Sequence, residues 1–328
     1  MSNAQRLIFR STGAPVDCLE VESFAPAPPK DGEVRVRLTA APINPADLNT
    51  IEGTYGVKLE LPAVPGIEGC GVVEESQADG YFPGDLVMFI ERAGTWATHA
   101  TVPASILFKL PADIDPLQAA MLKVNPATAW RLLNGFARLE TGEWIVQNLG
   151  NSAVARCVIQ LARDFGIKTI SFVRRKDVIE ELTELGGDAV LLDDDEGQAT
   201  AREIMGGSKA RLAFNAVGGE SAMRVMKLLD DDGIHITYGA MGRKPVTIGN
   251  GQLIFKGITV TGLWVTRWLE RAEDEQVREV YGQLAERVAA RRLVQPIDST
   301  YALADFKQAL ERLDAKDRDG KVLFADRW

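Results

Sequence analysis

Residues 144–176 hold two groups suited to binding phosphate. The first is Gly150-Asn151-Ser152-Ala153-Val154-Ala155, a turn of small residues between an apolar run, Trp144–Asn148, and a stretch of helical periodicity, 153–165. Such a turn brings unpaired backbone N–H groups and the positive end of the helix dipole to one point, where an anion is stabilised. The second is Arg174-Arg175-Lys176, which follows the next apolar run, 169–173, roughly twenty residues beyond the turn. An acidic residue there would suit the ribose hydroxyls of NAD. Three cations suit a 2′-phosphate instead, which arginine grips with two parallel hydrogen bonds, so NADP(H) is the expected cofactor. Each feature alone has an ordinary alternative. The turn carries Ser152 and Ala155 where the second and third glycines of G-x-G-x-x-G would stand, and a charge run at a strand end is commonly just solvated.

The elements that must position these groups alternate. From about Pro116 a helical stretch to Asn134, interrupted at Asn125-Pro126, leads into the strand, helix and strand just described. Further apolar strands follow at 189–192, 212–216, 233–238 and 258–263, with helices near 177–185, 200–205 and 221–229. Six strands in β-α alternation give a doubly wound parallel sheet. Before it, Val34, Val36 and Leu38 alternate with polar residues, and strands at 70–74, 86–90 and 96–102 are separated by turn residues, giving a β-rich first domain. Between them 44–53 forms a short helix, and 54–65 is a loop carrying Tyr55. After the sheet come helices at 270–291 and 303–313 and a last strand at 321–324, read as a return to the first domain. The expected boundaries are 1–121, 122–265 and 266–328.

The 328 residues, 46% hydrophobic and 25% charged, suit about two domains with sizeable cores. A net charge of −9 argues against nucleic acid or an anionic membrane as partner. The acidic run 193–196 reads as a solvated loop. Three scattered cysteines, Cys18, Cys70 and Cys157, form neither a disulfide framework nor a zinc cluster. With no apolar leader at the start and no apolar run long enough to span a bilayer, a cytoplasmic location is expected. His99 and His235 lie in expected strands without a nucleophile or metal set in sequence reach, and read as packing residues.

Several segments, in order along almost the whole chain, resemble the medium-chain dehydrogenase/reductase superfamily, and within it the 2-enoyl thioester reductases of the mitochondrial trans-2-enoyl-CoA reductase type. They include Ile43-Asn44-Pro45-Ala46-Asp47-Leu48-Asn49, Gly53-Thr54-Tyr55-Gly56, Gly66 with Glu68-Gly69, Gly94-Thr95-Trp96, Val124-Asn125-Pro126-Ala127-Thr128-Ala129, Asn215-Ala216-Val217-Gly218-Gly219 and Tyr238-Gly239-Ala240-Met241. The resemblance implies an α/β architecture, a GroES-like β-rich catalytic domain joined to a Rossmann nucleotide-binding domain. The superfamily's zinc alcohol dehydrogenases carry ligands where Asn44 and Ile67 stand here, so no metal is expected.

Without that Lewis acid, the activity implied is NADPH-dependent reduction of an enoyl thioester, with hydride added at the β-carbon and a proton at the α-carbon. Tyr55 matches the family's proton donor and Asn125 its asparagine near the nicotinamide. By the same resemblance Asn151, Ser152, Ala153 and Val154 contact the pyrophosphate, Tyr238, Gly239, Ala240 and Met241 lie at a ligand-bearing strand end, and Leu263, Trp264 and Val265 flank the nicotinamide. Lys321 reaches toward the cofactor, and Phe255 and Trp268 line an acyl pocket. A homodimer joined through 258–263 is implied. The acyl carrier is coenzyme A or an acyl carrier protein, and Arg287, Arg291 and Arg292 offer a basic face for the latter. A zinc-independent quinone or alkenal reductase and an NADPH-binding sensor without chemistry are the alternatives.

Overall fold

The computed structural model describes residues 4–325, which divide into two units, Met1–Val124 with Leu269–Trp328, and Asn125–Trp268. In the first unit the alternation at Val34, Val36 and Leu38 forms the strand Glu33–Pro42, with all three side chains fully buried. This strand is the hub of a seven-stranded sheet, pairing antiparallel with Cys70–Ser76, His99–Pro103 and Lys321–Ala325. The last of these brings the C-terminal segment into the sheet built by the N-terminal one. Trp96 locks the join, meeting Phe324 edge to face at 5.2 Å and donating from Nε1 to the Pro42 carbonyl at 3.3 Å.

The second unit is a six-stranded parallel sheet in the order Ala189–Leu192, Lys168–Val173, Trp144–Gln147, Ala210–Asn215, Leu229–Thr237, Thr259–Gly262. The chain winds outward in both directions from its middle, so the strand order reverses between Trp144–Gln147 and Ala210–Asn215. Ligands of such sheets bind at that reversal, beyond the carboxyl ends of the strands. Two asparagines, both fully buried, close the ladder there. Asn148 Nδ2 donates to Asn215 Oδ1 at 2.8 Å and to Ser221 Oγ at 2.9 Å, and its Oδ1 accepts from the Ala216 N–H at 2.8 Å. Asn215 Oδ1 also accepts from the N–H groups of Val217 and Gly218. Ser221 donates onward to Asp193 Oδ2 at 2.6 Å, and Arg224 donates to Asp193 Oδ1 at 2.6 Å. Backbone groups that outrun a sheet must find other partners, and Asn148 and Asn215 supply them for the loop after Ala210–Asn215, while Asp193 joins the loop after Ala189–Leu192 to Ser221 and Arg224.

The structure corrects two expectations about element ends. The acidic run is no mere loop: Asp193 anchors Ser221 and Arg224, Asp194 caps the helix Asp195–Met205 by accepting from the Gly197 N–H, and Asp195 and Glu196 fill its first turn. Negative charge is favourable there because it faces unpaired N–H groups. Pro126 does not interrupt a helix but opens one, Asn125–Asn134, after a separate turn of helix at Pro116–Ala119. In a first turn proline's missing N–H costs nothing.

His235 sits in Leu229–Thr237 with Ala213 and Val260 as strand neighbours, fully buried, and neither ring nitrogen has a hydrogen-bond partner. Burial lowers its pKa from 6.5 to about 4. The unfolded chain takes up this proton at higher pH than the folded one. The group's contribution is therefore intact above pH 6.5 and is lost as pH falls toward about 4, by up to about 3 kcal/mol. In urea titrations across that window His235→Leu is expected to flatten the acid decline in stability; an unchanged slope would assign the decline to other groups.

Candidate active site

In the second unit the expected phosphate turn takes shape around Gly150, whose N–H donates to the Phe172 carbonyl at 2.8 Å. A Cβ at Gly150 would lie 3.0 Å from Ser171 Cβ and 3.1 Å from Val173 Cγ1, so any larger residue would press the neighbouring strand back by a few tenths of an ångström. The two departures from the glycine pattern have physical accounts. Ser152 is the N-cap of the helix Ala153–Phe165, its Oγ accepting from the Ala155 N–H at 3.2 Å. Ala155 is fully buried and faces the sheet, its carbonyl taking Gln147 Nε2 at 3.2 Å, and so fills the close helix-to-strand contact. The carbonyl of Asn151 is held by Arg156 Nε at 3.2 Å. The first-turn N–H groups of Ala153 and Val154 precede the intrahelical ladder and face an incoming anion.

Because Trp144–Gln147 and Lys168–Val173 run parallel, Arg174, Arg175 and Lys176 emerge at the same sheet edge as this turn. All three are exposed. Arg175 lies 3.5 Å from Asp177 Oδ1, whereas Arg174 and Lys176 make no ion pair among the described residues. Cations without a protein counterion beside a helix N-terminus fit the phosphates of NADP(H).

Tyr238 through Met241 leave the end of Leu229–Thr237 at this edge, tied down by Tyr238 N to Asn215 O at 2.9 Å and Met241 N to Ala216 O at 2.8 Å. The Tyr238 hydroxyl is buried beside Ser152 without a hydrogen bond of normal geometry, and burial pushes its pKa well up. Ala240 and Met241 are exposed and Gly239 is half-buried. Leu263 also reaches this edge, donating to the Thr237 carbonyl at 3.0 Å, followed by half-buried Trp264 and buried Val265. Trp268 lies under the Arg131 guanidinium, 5.3 Å from its ring centroid. Phe255, expected in the acyl pocket, is 84% exposed within its own unit and belongs with Ile254, 71% exposed, to an apolar surface patch. Asn125 is buried at the first position of its helix.

In the first unit Tyr55 is half-buried in the loop after the helix Pro45–Glu52. Gly53 ends that helix at a φ of 75°, and the Tyr55 N–H donates back to the Asn49 carbonyl at 3.0 Å, which fixes the loop's exit. Arg92 stands within electrostatic reach of Tyr55 and Asp47, with its Nη1 buried and without a hydrogen-bond partner.

Behind the loop lies a buried polar cluster whose connections the sequence did not reveal. Asn44, Asp47 and Glu68 are buried, as are Lys123 and Lys321. Glu68 Oε1 accepts from Asn44 Nδ2 at 2.8 Å and Oε2 from the Val124 N–H at 2.9 Å. Lys123 Nζ donates to the Ile67 carbonyl at 2.7 Å, and burial lowers its pKa to about 8. Asp47 Oδ2 accepts from the Asn44 N–H at 3.0 Å, and burial raises its carboxyl to about 6. Lys321, expected to reach toward the cofactor, donates within this unit to Asn44 Oδ1 at 2.6 Å and to Ile43 O at 3.2 Å. The only sequence signal was the presence of acidic and basic residues inside otherwise apolar or small-residue stretches. Among the described residues no group of three or more His, Cys, Asp or Glu is placed to hold a metal ion.

Residues 30–112 match the alcohol dehydrogenase GroES-like domain, and residues 153–286 match the zinc-binding dehydrogenase family. The chain is 38% identical to the mitochondrial enoyl-[acyl-carrier-protein] reductase of Xenopus tropicalis, over 94% of this chain and 91% of that one. Among solved structures it is similar to the mitochondrial 2-enoyl thioester reductase Etr1p/Etr2p heterodimer from Candida tropicalis, at 29% identity and a TM-score of 0.90 over 99% of this chain and 100% of that one. Etr1p in complex with NADP and crotonyl-CoA matches at the same identity, TM-score and coverage. A Bacillus thuringiensis protein described as an NADPH:quinone reductase matches at 27% identity and a TM-score of 0.91, over 99% and 100% of the two chains. The cytoplasmic expectation is overturned, since the curated relatives are named mitochondrial proteins. Scattered cysteines outside a disulfide framework do not separate cytoplasm from mitochondrial matrix. Identity at this level across both units, on a two-domain frame of GroES-like and Rossmann type, leaves one conclusion: the chain belongs to the 2-enoyl thioester reductases of the medium-chain dehydrogenase/reductase superfamily.

Proposed function

We propose that the chain reduces trans-2-enoyl thioesters to saturated acyl thioesters with NADPH, without zinc. The observation that carries this reading is the extent of the likeness: 38% identity runs over 94% of the chain, and so across both units. Asn151, Ser152, Ala153 and Val154 hold the pyrophosphate, and Arg174, Arg175 and Lys176 hold the 2′-phosphate. Tyr238 to Met241 and Leu263 to Val265 line the remaining edge. Bound there, NADPH supplies a hydride.

The substrate's carbonyl withdraws electrons from its alkene, so hydride adds at the β-carbon and charge moves to the enolate oxygen. Tyr55 then gives its phenolic proton to the α-carbon, and solvent restores it. Asn125 orients the reacting groups, and Trp268 lines the acyl site. Hydrogen bonds and the positioned acid replace a Lewis acid. Coenzyme A and an acyl carrier protein are both possible carriers; Arg291 and Arg292 lie exposed beyond the helix Asp274–Ala289, as an acidic carrier would require. The similarity to the Bacillus thuringiensis protein favours quinone reduction as the second reading.

The chain forms a homodimer in this proposal. Thr259–Gly262 is an edge strand, paired on one side by Leu229–Thr237, and beside it Ile254 and Phe255 are exposed. A second copy adding its own edge would cover both.

Three measurements test these statements. With short enoyl-CoA, enal and quinone substrates, turnover of the thioester well above the others, and a loss of about 100-fold in kcat for Tyr55→Phe, are expected. Quinone turnover unaffected by that change would favour the second reading. Replacing Arg174 and Lys176 together by alanine is expected to lower kcat/KM for NADPH by about 100-fold and leave NADH nearly unaffected, as loss of charge-assisted bonds to one phosphate predicts. Equal losses with both cofactors would remove these cations from the 2′-phosphate site. Sedimentation at micromolar concentration should show a dimer that Phe255→Glu dissociates, and a monomeric parent protein would contradict the edge pairing.

A further inference from the structure

The buried cluster in the first unit has a directional logic. Both oxygens of Glu68 accept hydrogen bonds, from Asn44 Nδ2 at 2.8 Å and from the Val124 N–H at 2.9 Å, so each oxygen is assigned to one donor; burial raises the carboxyl's pKa, and Lys321 and these two bonds oppose the shift. The Asn44 amide cannot turn over to suit another partner, because its Oδ1 takes Lys321 Nζ at 2.6 Å. Asn44 is the N-cap residue of Pro45–Glu52, the helix whose Asn49 carbonyl holds the Tyr55 N–H. Val124 immediately precedes Asn125. Its segment is held twice more, by Lys123 Nζ to the Ile67 carbonyl at 2.7 Å and by the Tyr281 hydroxyl to the Lys123 carbonyl at 3.1 Å. Gly66, at a φ of 107°, and the Thr95 hydroxyl, bonded to the Glu68 carbonyl at 2.5 Å, fix the backbone from which Glu68 projects.

We infer that Glu68 is a positioning residue for the reaction: one carboxylate oxygen sets the helix that carries the Tyr55 loop, and the other sets the segment that leads into Asn125. The inference rests on the roles proposed above for Tyr55 and Asn125. Glu68 itself is fully buried and touches no reactant. Its effect is geometric, and small misplacements of reacting groups are costly in rate.

Glu68→Gln keeps the shape and breaks the pattern. A glutamine has one acceptor oxygen and one NH2 group, so either Asn44 or Val124 faces a donor where it needs an acceptor. The double variant N44D/E68Q restores the pattern with the charge transposed. The new carboxylate accepts from Lys321 and from the glutamine NH2, leaving the glutamine oxygen for Val124.

The experiment measures kcat, enoyl-CoA KM, NADPH binding by fluorescence and Tm for the parent, E68Q, N44D/E68Q and Y55F. E68Q is expected to lose about 100-fold in kcat with NADPH affinity within about twofold of the parent, and N44D/E68Q to recover at least about tenfold of that loss. Should E68Q not fold, a soluble N44D/E68Q with kcat within about tenfold of the parent carries the same support. A kcat for E68Q within about threefold of the parent, or a double variant no better than the single one, overturns the inference. Loss in Y55F without loss in E68Q overturns the positioning role alone. An unaffected Y55F overturns the reading of Tyr55, and the inference with it.

Discussion

A carboxylate can be buried among apolar strands only if both its oxygens find donors, since an ion taken out of water without partners costs several kcal/mol. Glu68 meets that condition with an asparagine side chain from one segment and a main-chain N–H from another far along the sequence. Lys321 on the last strand completes the set through the same asparagine. Four stretches of the first unit thereby have to keep their places together, and the Tyr55 loop is built on one of them. The second unit solves a similar problem with neutral groups. Where its parallel strands end, Asn148 and Asn215 take up the N–H groups of Ala216, Val217 and Gly218, and the loops that bear the nucleotide edge are fixed as a result.

Both devices are local answers to burial, and both place chemistry at the ends of strands. In the second unit the outcome is a helix N-terminus beside Arg174 and Lys176, cations with no protein counterion among the described residues. In the first it is a tyrosine loop with Arg92 and a charge-balanced interior behind it. Asn44, bound to Glu68 and Lys321, and Ile67, whose carbonyl takes Lys123, belong to one hydrogen-bonded network.

The parallel sheet was legible because β-α alternation and short apolar runs are strong periodic signals, whereas the order of its strands came only with the structure. The phosphate turn was legible as well. What its missing glycines meant was not, because Ser152 as a cap and Ala155 as a packing residue depend on the path of the neighbouring strand. The acidic run 193–196 looked like a solvated loop since nothing local to it shows that Ser221 and Arg224 would arrive from a later helix. The hydrogen bonds of Lys321 and Glu68 were not legible for the same reason: their partners lie far away in sequence, and no pattern in one segment announces them. The exposure of Phe255, at the end of the short helix Asn250–Ile254, was not legible from its residue type.

The account's central claim is the direction of the two additions to the substrate. It is tested most directly by reducing a short trans-2-enoyl-CoA with NADPH deuterated at the transferring position in ordinary water, and with ordinary NADPH in D2O, then locating the label in the product by NMR. The account predicts deuterium at the β-carbon in the first case and at the α-carbon in the second. Cofactor deuterium at the α-carbon, or a product carrying none, would contradict it.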